Sequence, residues 1–222
     1  NDETILLIGP PLYQHKEWLQ KTHPFYSTDR TQMIDMSMQE LDRACLTTVR
    51  ANGQISELFV HGDASSTPIK VNRPLLDFAG KKVIVTISRD HPISWLKQWI
   101  DYHRKVHNLD GLLLYNNRST IYTSAELEAA ISRPDMVIKV VDYDVPFGCM
   151  GGGDWEWQGR KGNFLPWDSD FSQYVMLEHA KWRYLHCADL AINADTDELL
   201  YIKHNTLDGM AEYCKSSSNS VW

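Results

Sequence analysis

The stretch Val83-Ile-Val-Thr-Ile-Ser-Arg-Asp-His-Pro-Ile-Ser-Trp-Leu-Lys-Gln-Trp-Ile-Asp-Tyr-His103 decides how the chain is read. It opens with a continuous β-branched run, Val83 to Ile87, the pattern of a strand covered on both faces. Pro92 then suits the first turn of a helix, where a missing N–H costs nothing. Beyond it Ile93, Leu96, Ile100, His103 and His107 recur at helical spacing, with Trp95 and Trp99 widening that face. Working outward, Gly111-Leu-Leu-Leu-Tyr115 reads as a second buried strand. Thr123 and Glu126 form a capping box for a short helix that Pro134 ends. Met136 to Val141 is a third strand. Asp170 to about Cys187 is helical, with Tyr174, Leu177, Lys181, Trp182 and Leu185 at i, i+3, i+4 spacings, and Leu190-Ala-Ile-Asn193 is a fourth strand. Strands alternating with helices predict an α/β fold with a mostly parallel sheet flanked by helices.

Upstream, residues 1–79 read as an N-terminal extension of unknown role, and 80–222 as the α/β domain. Thr4 to Ile8 is a short strand stopped by Gly9-Pro10-Pro11. Met33 to Arg50 reads as a helix, and Ile55 to His61 as another strand closed by Gly62-Asp63. This segment carries no catalytic motif.

Composition narrows the function. A net charge of −7 without any basic stripe argues against nucleic acid as a partner, although a metal can still join an acidic protein to an anionic nucleotide. No apolar run approaches the ~20 residues of a membrane span. Cys45, Cys149, Cys187 and Cys214 are widely spaced, with no CxxC pair. They read as isolated thiols and lean towards a reducing, cytoplasmic setting, with any peripheral membrane attachment left to sequence outside this stretch. The chain begins at Asn1 with no Met and no signal-peptide pattern, so we expect a piece of a longer protein. Of the 8 Trp, most belong in a core, and the remainder suit the stacking of flat ligands or sugars.

The sharpest chemical feature is Asp195-Thr-Asp197, just past the fourth strand. In extended chain, side chains at i and i+2 point to one side, so the two carboxylates would share one place. That place is the carboxyl end of a buried strand, where open α/β sheets bind ligands. Close carboxylates repel unless a cation or proton lies between them. Such oxygen ligands suit Mg²⁺ or Mn²⁺, with Asp195 and Asp197 as the metal ligands. A metal there would act as a Lewis acid on a departing diphosphate. The plain alternative is an exposed acidic turn, and an acidic triplet alone says little; its position after an apolar strand is what gives it weight.

Three blocks, in order, resemble a GT-A glycosyltransferase of the family 2 and family 92 type, over a little more than half of the chain. Val83 to His103 is similar to the opening strand, donor loop and WLxxWIxYH helix of those enzymes. Gly111-Leu-Leu-Leu-Tyr-Asn-Asn-Arg-Ser119 resembles their LYDNxSxD strand end. Gln173 through Trp182 to Asp195-Thr-Asp-Glu-Leu199 is similar to their helix and DxDEFL block. The resemblance implies a nucleotide-sugar site: Ser88, Arg89 and Asp90 around the base, Asn116 and Asn117 lining the nucleotide pocket, Asp195 near the ribose and sugar, and Asp197 as main metal ligand. The chain departs from the family where Asn116-Asn117 replaces Asp-Asn, where Thr120 follows Ser119, and where Arg89-Asp90 replaces Asn-Glu. Without the resemblance, Arg89 and Asp90 read as a surface ion pair with helix capping, and the two Asn as a turn.

The expected activity is therefore metal-dependent transfer of a sugar from a nucleotide-diphosphate donor, a UDP-sugar first among them, to an acceptor hydroxyl on a glycan or glycoconjugate. An inverting enzyme also needs a general base. The resemblance places it well after the DxD, so no catalytic residue is assigned; Asp154 and Glu156 are the candidate carboxylates. They lie in a Gly- and Trp-rich stretch, Asp142 to Asp168, that reads either as a lid with Trp155, Trp157, Arg160 and Lys161 over the donor or as a surface loop. His103 and His107 have a zinc-compatible i, i+4 spacing, but without an HExxH glutamate they read as packing. Two other classes remain: a non-catalytic nucleotide- or glycan-binding module, and a sugar nucleotidyltransferase, whose Gly-rich loop Ile87-Ser-Arg-Asp-His91 does not match.

Overall fold

The computed structural model describes residues 2–22, 24–27, 35–60, 68–147, 155–157, 160–162, 171–202 and 206–217. The chain divides into two units: Asn1–Arg73 with Phe147–His179, and Pro74–Pro146 with Ala180–Trp222.

The first unit is antiparallel. It contains β1 (Asp2–Gly9), α1 (His15–Thr22), β2 (Phe25–Ser27), β3 (Asp35–Glu40), β4 (Cys45–Asn52), β5 (Glu57–Val60) and β6 (Pro68–Lys70). They form two three-stranded sheets, ordered β1-β4-β3 and β2-β5-β6. Buried Phe25, Val49 and Leu58 share a core with Leu7, Met36 and Ile55. The helix expected over 33–50 is replaced by strands β3 and β4. The central strand β4 pairs along its length with β1 and β3, and its Thr47-Thr48-Val49 run suits a pleated surface better than a helix.

The second unit holds β7 (Lys82–Ser88), α2 (Ile93–His107), β8 (Gly111–Asn116), α3 (Ser124–Ile131) and β9 (Val137–Asp142). The chain continues through β10 (Trp155–Trp157) and β11 (Arg160–Gly162), an antiparallel pair belonging to the first unit. It then runs through α4 (Phe171–Ala180) and a π-helical turn (Lys181–Leu185) to β12 (Leu190–Asn193) and α5 (Leu207–Ser217). Strands β12-β7-β8-β9 form one parallel sheet in that order. The four strands are those read from the sequence, and the α/β architecture with flanking helices is as expected.

Burial on both faces holds for the central strands β7 and β8, while the edge strands β9 and β12 are only partly covered, so the fourth strand is not the buried one its sequence suggests. Ile84, Leu112 and Leu114 face Leu96, Trp99 and Ile100 of α2, Leu127 and Ile131 of α3, and Leu207 of α5. The Thr123–Glu126 capping box is present: Thr123 Oγ1 accepts the Glu126 amide at 3.2 Å, and the Glu126 carboxylate accepts the Thr123 amide at 2.8 Å. Two helical faces differ from expectation. Trp95 is 62% exposed, and Tyr174 and Trp182 are also exposed. The buried row before β12 is instead Ser172, Met176, Ala180 and Tyr184, each four residues apart. Among the described residues no helix is long and apolar enough to cross a membrane, and Cys45 and Cys187 are free thiols.

Candidate functional site

Strand order identifies the crevice. From β7 the chain steps to β8 and β9 on one side, then returns to place β12 on the other side of β7. The direction of winding therefore reverses between β7 and β12, and ligands of open α/β sheets bind outside the carboxyl ends of the strands at such a point. Two loops meet there: Ser88-Arg-Asp-His91 after β7, and Ala194-Asp-Thr-Asp197 after β12.

The second loop is a tight turn rather than extended chain. The Glu198 amide donates to the Asp195 carbonyl at 3.1 Å, and the Glu198 carboxylate accepts the Asp195 amide at 3.3 Å. The same-side argument for Asp195 and Asp197 does not apply to a turn. What brings their charges together is the turn itself. The Asp195 carboxyl is held above the usual carboxylate range by partial desolvation, then by the negative charges of Glu198 and Asp197. With Asp195 exposed to solvent, the like charges are the part of that shift which a cation would relieve.

Helix α2 holds the chain leaving this turn. Trp99 Nε1 donates to the Glu198 carbonyl at 2.7 Å; Tyr102 Oη and His107 Nε2 donate to the Leu200 carbonyl at 2.9 and 2.7 Å. The Leu200 amide donates to His103 Nε2 at 3.3 Å, while His103 Nδ1 donates to the Trp99 carbonyl at 2.9 Å. These partners fix His103 as the neutral Nδ1–H tautomer. Burial, followed by the neighbouring His107 and against the pull of the Trp99 carbonyl, holds its pKa below the usual histidine value. The histidine pair thus does more than pack: three of its ring nitrogens hold backbone, and among the described residues it belongs to no metal-binding group.

The β7 loop is equally fixed. Asp90 adopts a left-handed backbone (φ 55°). Its carboxylate accepts the Thr120 amide at 2.6 Å and the Ile121 amide at 3.3 Å. The Thr120 amide, outweighing desolvation, holds Asp90 below the usual carboxylate range. Asp90 therefore staples its loop to the one after β8. Arg89 is exposed, with its guanidinium 3.8 Å from Asp90. Ser88 is buried, and its hydroxyl lies 2.9 Å from His91 Nδ1.

Asn117 also staples, donating from Nδ2 to the carbonyls of Tyr143 at 3.0 Å and Val145 at 2.7 Å. Asn116, level with Ser88 in the register, behaves differently. It is 3% exposed; its Nδ2 donates to Ser124 Oγ at 3.0 Å, and Ser124 in turn donates to Asp142 at 3.1 Å. Its Oδ1 is buried with no partner among the described residues. A buried unsatisfied acceptor costs roughly 1–3 kcal/mol, so it marks a place that an N–H or O–H donor would suit.

The structure thus brings Ser88, Arg89, Asp90, Asn116, Asp195 and Asp197 to one edge of one sheet. Asn117 is on that edge with its amide spent on backbone. Asp154 lies outside the described residues; Glu156 is in β10 of the other unit with Trp155 and Trp157, and Arg160 and Lys161 are in β11 of that unit. His91, Thr196 and the α2 grip add to the residues that the sequence pattern singles out. The available signal was four hydrogen-bonding side chains, Trp99, Tyr102, His103 and His107, on a buried helical stripe, since buried polar groups need partners. Among the described residues no three His, Cys, Asp or Glu side chains form a ready metal cage. Two carboxylates still fit a hard cation that keeps waters and substrate phosphates as its other ligands. Comparison with family models, with curated proteins and with solved structures finds no match to this chain.

Proposed function

We propose that this chain is the donor-binding part of a metal-dependent glycosyltransferase with a GT-A-like fold, moving a sugar from a nucleoside diphosphate, uridine first among them, to a hydroxyl of a glycan or glycoconjugate. The observation that carries this reading is the turn of like-charged carboxylates, Asp195, Asp197 and Glu198, at the winding reversal between β7 and β12. Diphosphates brought to acidic crevices need a divalent cation, and among the described residues the carboxylates of this turn have no ion pair. Asp195 and Asp197 would hold Mg²⁺ or Mn²⁺, which when bound supplies charge neutralisation for a departing diphosphate. Glu198 is the less suitable ligand, because its carboxylate is turned back onto the Asp195 amide.

The chain's own residues supply orientation. The unpartnered Asn116 Oδ1 supports a nucleobase donor, such as the N3–H of uracil, on the strand next to β7. Exposed Arg89 offers a cation to phosphate. Because the site is built on strand ends and a gripped turn, it is largely preformed, which lowers the entropic cost of binding.

The test is calorimetric titration of UDP and of GDP, each with and without Mn²⁺, on the wild type and on Asp197→Ala. Metal-dependent binding of one nucleotide, weakened at least tenfold in the variant, is the expected result. Folded protein that binds neither nucleotide with Mn²⁺ present would end the transferase reading.

A further inference from the structure

The loop after β7 and the turn after β12 are joined across the crevice by one side chain. His91 places Nδ1 2.9 Å from Ser88 Oγ and Nε2 3.3 Å from Thr196 Oγ1. Both ring nitrogens are thereby spent, one on each side of the winding reversal. We propose that His91 is a positioning residue that sets the carboxylate turn against the end of β7; this rests on the donor-site reading above for its functional consequence, though not for its structural one.

Four observations carry it. First, the backbone around His91 is immobilised from several directions. Tyr122 Oη donates to its carbonyl at 3.0 Å, Asp90 before it is stapled to Thr120 and Ile121, and Pro92 follows with its fixed φ. The ring is thus a short arm from a rigid support. Second, the turn is internally closed by the two Asp195–Glu198 hydrogen bonds, so it moves as a piece. Its neighbours on either side are held, Ala194 by the Val85 carbonyl at 3.3 Å and Glu198 to Leu200 by α2. The tilt of the turn against β7 is what those contacts leave free, and the Thr196–His91 contact restrains it.

Third, Thr196 lies between the two candidate ligands. Thr196 is half-buried, while Asp195 and Asp197 on either side of it are exposed. The middle residue of the acidic triplet thus has a defined task, and it requires a hydroxyl. Fourth, both partners of the ring are hydroxyls, which donate or accept as needed. The bridge is therefore compatible with either neutral tautomer of His91, unlike the His103 contact, which demands one.

The experiment uses the whole chain and begins without ligand. Amide hydrogen exchange is followed over residues 194–198 in wild type, His91→Asn, Thr196→Val, the double variant and Thr196→Ser, with the urea midpoint as folding control. His91→Asn and Thr196→Val are each expected to speed exchange in the turn about fivefold, consistent with one lost hydrogen bond. The double variant should be no faster than either single one, and Thr196→Ser should match wild type. Unchanged exchange in Thr196→Val, or effects that multiply in the double variant, overturns the bridge. Calorimetry with UDP then reads the consequence: the affinity gained on adding Mn²⁺ falls about fivefold in both single variants, with UDP binding in the absence of metal unaltered. Wild-type protein without any Mn²⁺-dependent gain would sink the donor-site reading, while the exchange data judge the bridge independently.

Discussion

At the strand starts of the parallel sheet, Lys82 is nearly buried, and its ammonium meets Asp208 of α5 at 2.6 Å while its amide donates to the Asp110 carboxylate at 3.1 Å. Nearby, Arg104 meets Asp135 at 2.6 Å and Arg133 meets Asp101 at 3.0 Å. At the strand ends, by contrast, Asp195, Asp197 and Glu198 share one turn, Asn116 Oδ1 is buried without a partner among the described residues, and Asp90 and Arg118 take left-handed backbones. Ion pairs exist at this end too, such as Arg118 with Asp144 at 3.0 Å, but in exposed positions. One sheet thus has an end where opposite charges close the structure and an end where like charges and an orphan acceptor are tolerated. Unrelieved cost of that kind collects at binding sites. Substitutions at the starts should therefore act on stability alone, and substitutions at the ends mainly on ligands.

The largest stability loss is expected from Gly111→Ala, at the first residue of β8. An added Cβ would lie 2.9 Å from Phe78 Cδ1 and 3.1 Å from Val83 Cγ2. Phe78 and Val83 are both fully buried, so a shift of either disturbs packed neighbours. Overpacking of this kind costs about 1–3 kcal/mol, which a urea midpoint measures directly. UDP affinity in the remaining folded protein should be unchanged; a parallel loss of affinity would blur the distinction between the two ends.

Next comes Asp208→Ala, which leaves the nearly buried Lys82 ammonium without its carboxylate. The Asp208 side chain is 63% exposed, so water partly replaces it and the loss should be about 1–2 kcal/mol, short of that for a fully buried pair. Lys82→Met with Asp208→Ala together should recover part of that loss, because no charge is then left stranded.

Acidification provides a smaller, graded effect. His103 accepts the Leu200 amide through Nε2 and has a pKa held below the unfolded value of about 6.5. Above that value both states are neutral and this group adds no pH dependence. As pH falls through it towards the folded pKa, the unfolded chain binds a proton that the fold refuses, so stability declines. Asp90, Asp101, Glu126 and Asp135, all shifted down, lose their contributions only in more acid solution. Asp195, shifted up, acts in the opposite sense. The urea midpoint at pH 5.5 against 7.5 should drop in wild type, and the drop should shrink in His103→Gln. An equal drop in both proteins would deny His103 the neutral tautomer.

How far the two ends could be foreseen depends on whether the cause is local. Val83 to Ile87 and Gly111 to Tyr115 declare themselves as strands because double-sided burial leaves a continuous apolar run, whereas Leu190 to Asn193 is a half-exposed edge strand that shows through its alternating Leu190 and Ile192. The Thr123–Glu126 box is legible because both partners lie within one turn. Residues 33–50 read locally as a helix, whereas strand identity in β4 comes from its neighbours β1 and β3, which propensity cannot see. Asp90 and Asn117 were legible as polar loop residues at a strand end, but their backbone partners lie 26 to 31 positions away. For the same reason the α2 stripe announced a helix face and concealed the grip on Glu198 and Leu200. The acidic triplet was found by its place after a strand, although its geometry is that of a closed turn.

The smallest stability effect, and the one that separates the two ends best, is expected from Asn116→Ala. The substitution removes the Nδ2 bond to Ser124, worth about 1 kcal/mol net. It also removes the buried Oδ1 that has no partner, whose desolvation the fold had been carrying. These two changes oppose each other, and Ser124 keeps its bond to Asp142, so the urea midpoint should shift by less than the equivalent of about 1 kcal/mol. Nucleotide binding has no such compensation. If a base N–H is the donor that Oδ1 awaits, its loss leaves that donor unpaired in the complex, and UDP affinity should fall about tenfold or more. Asn116→Asp sharpens the point: it restores an acceptor but adds a charge beside Asp142, so it should bind UDP better than the alanine variant while being less stable. A large stability loss in Asn116→Ala with UDP affinity intact would instead make Asn116 one more staple like Asn117, and the orphan acceptor would then have no role in ligand binding.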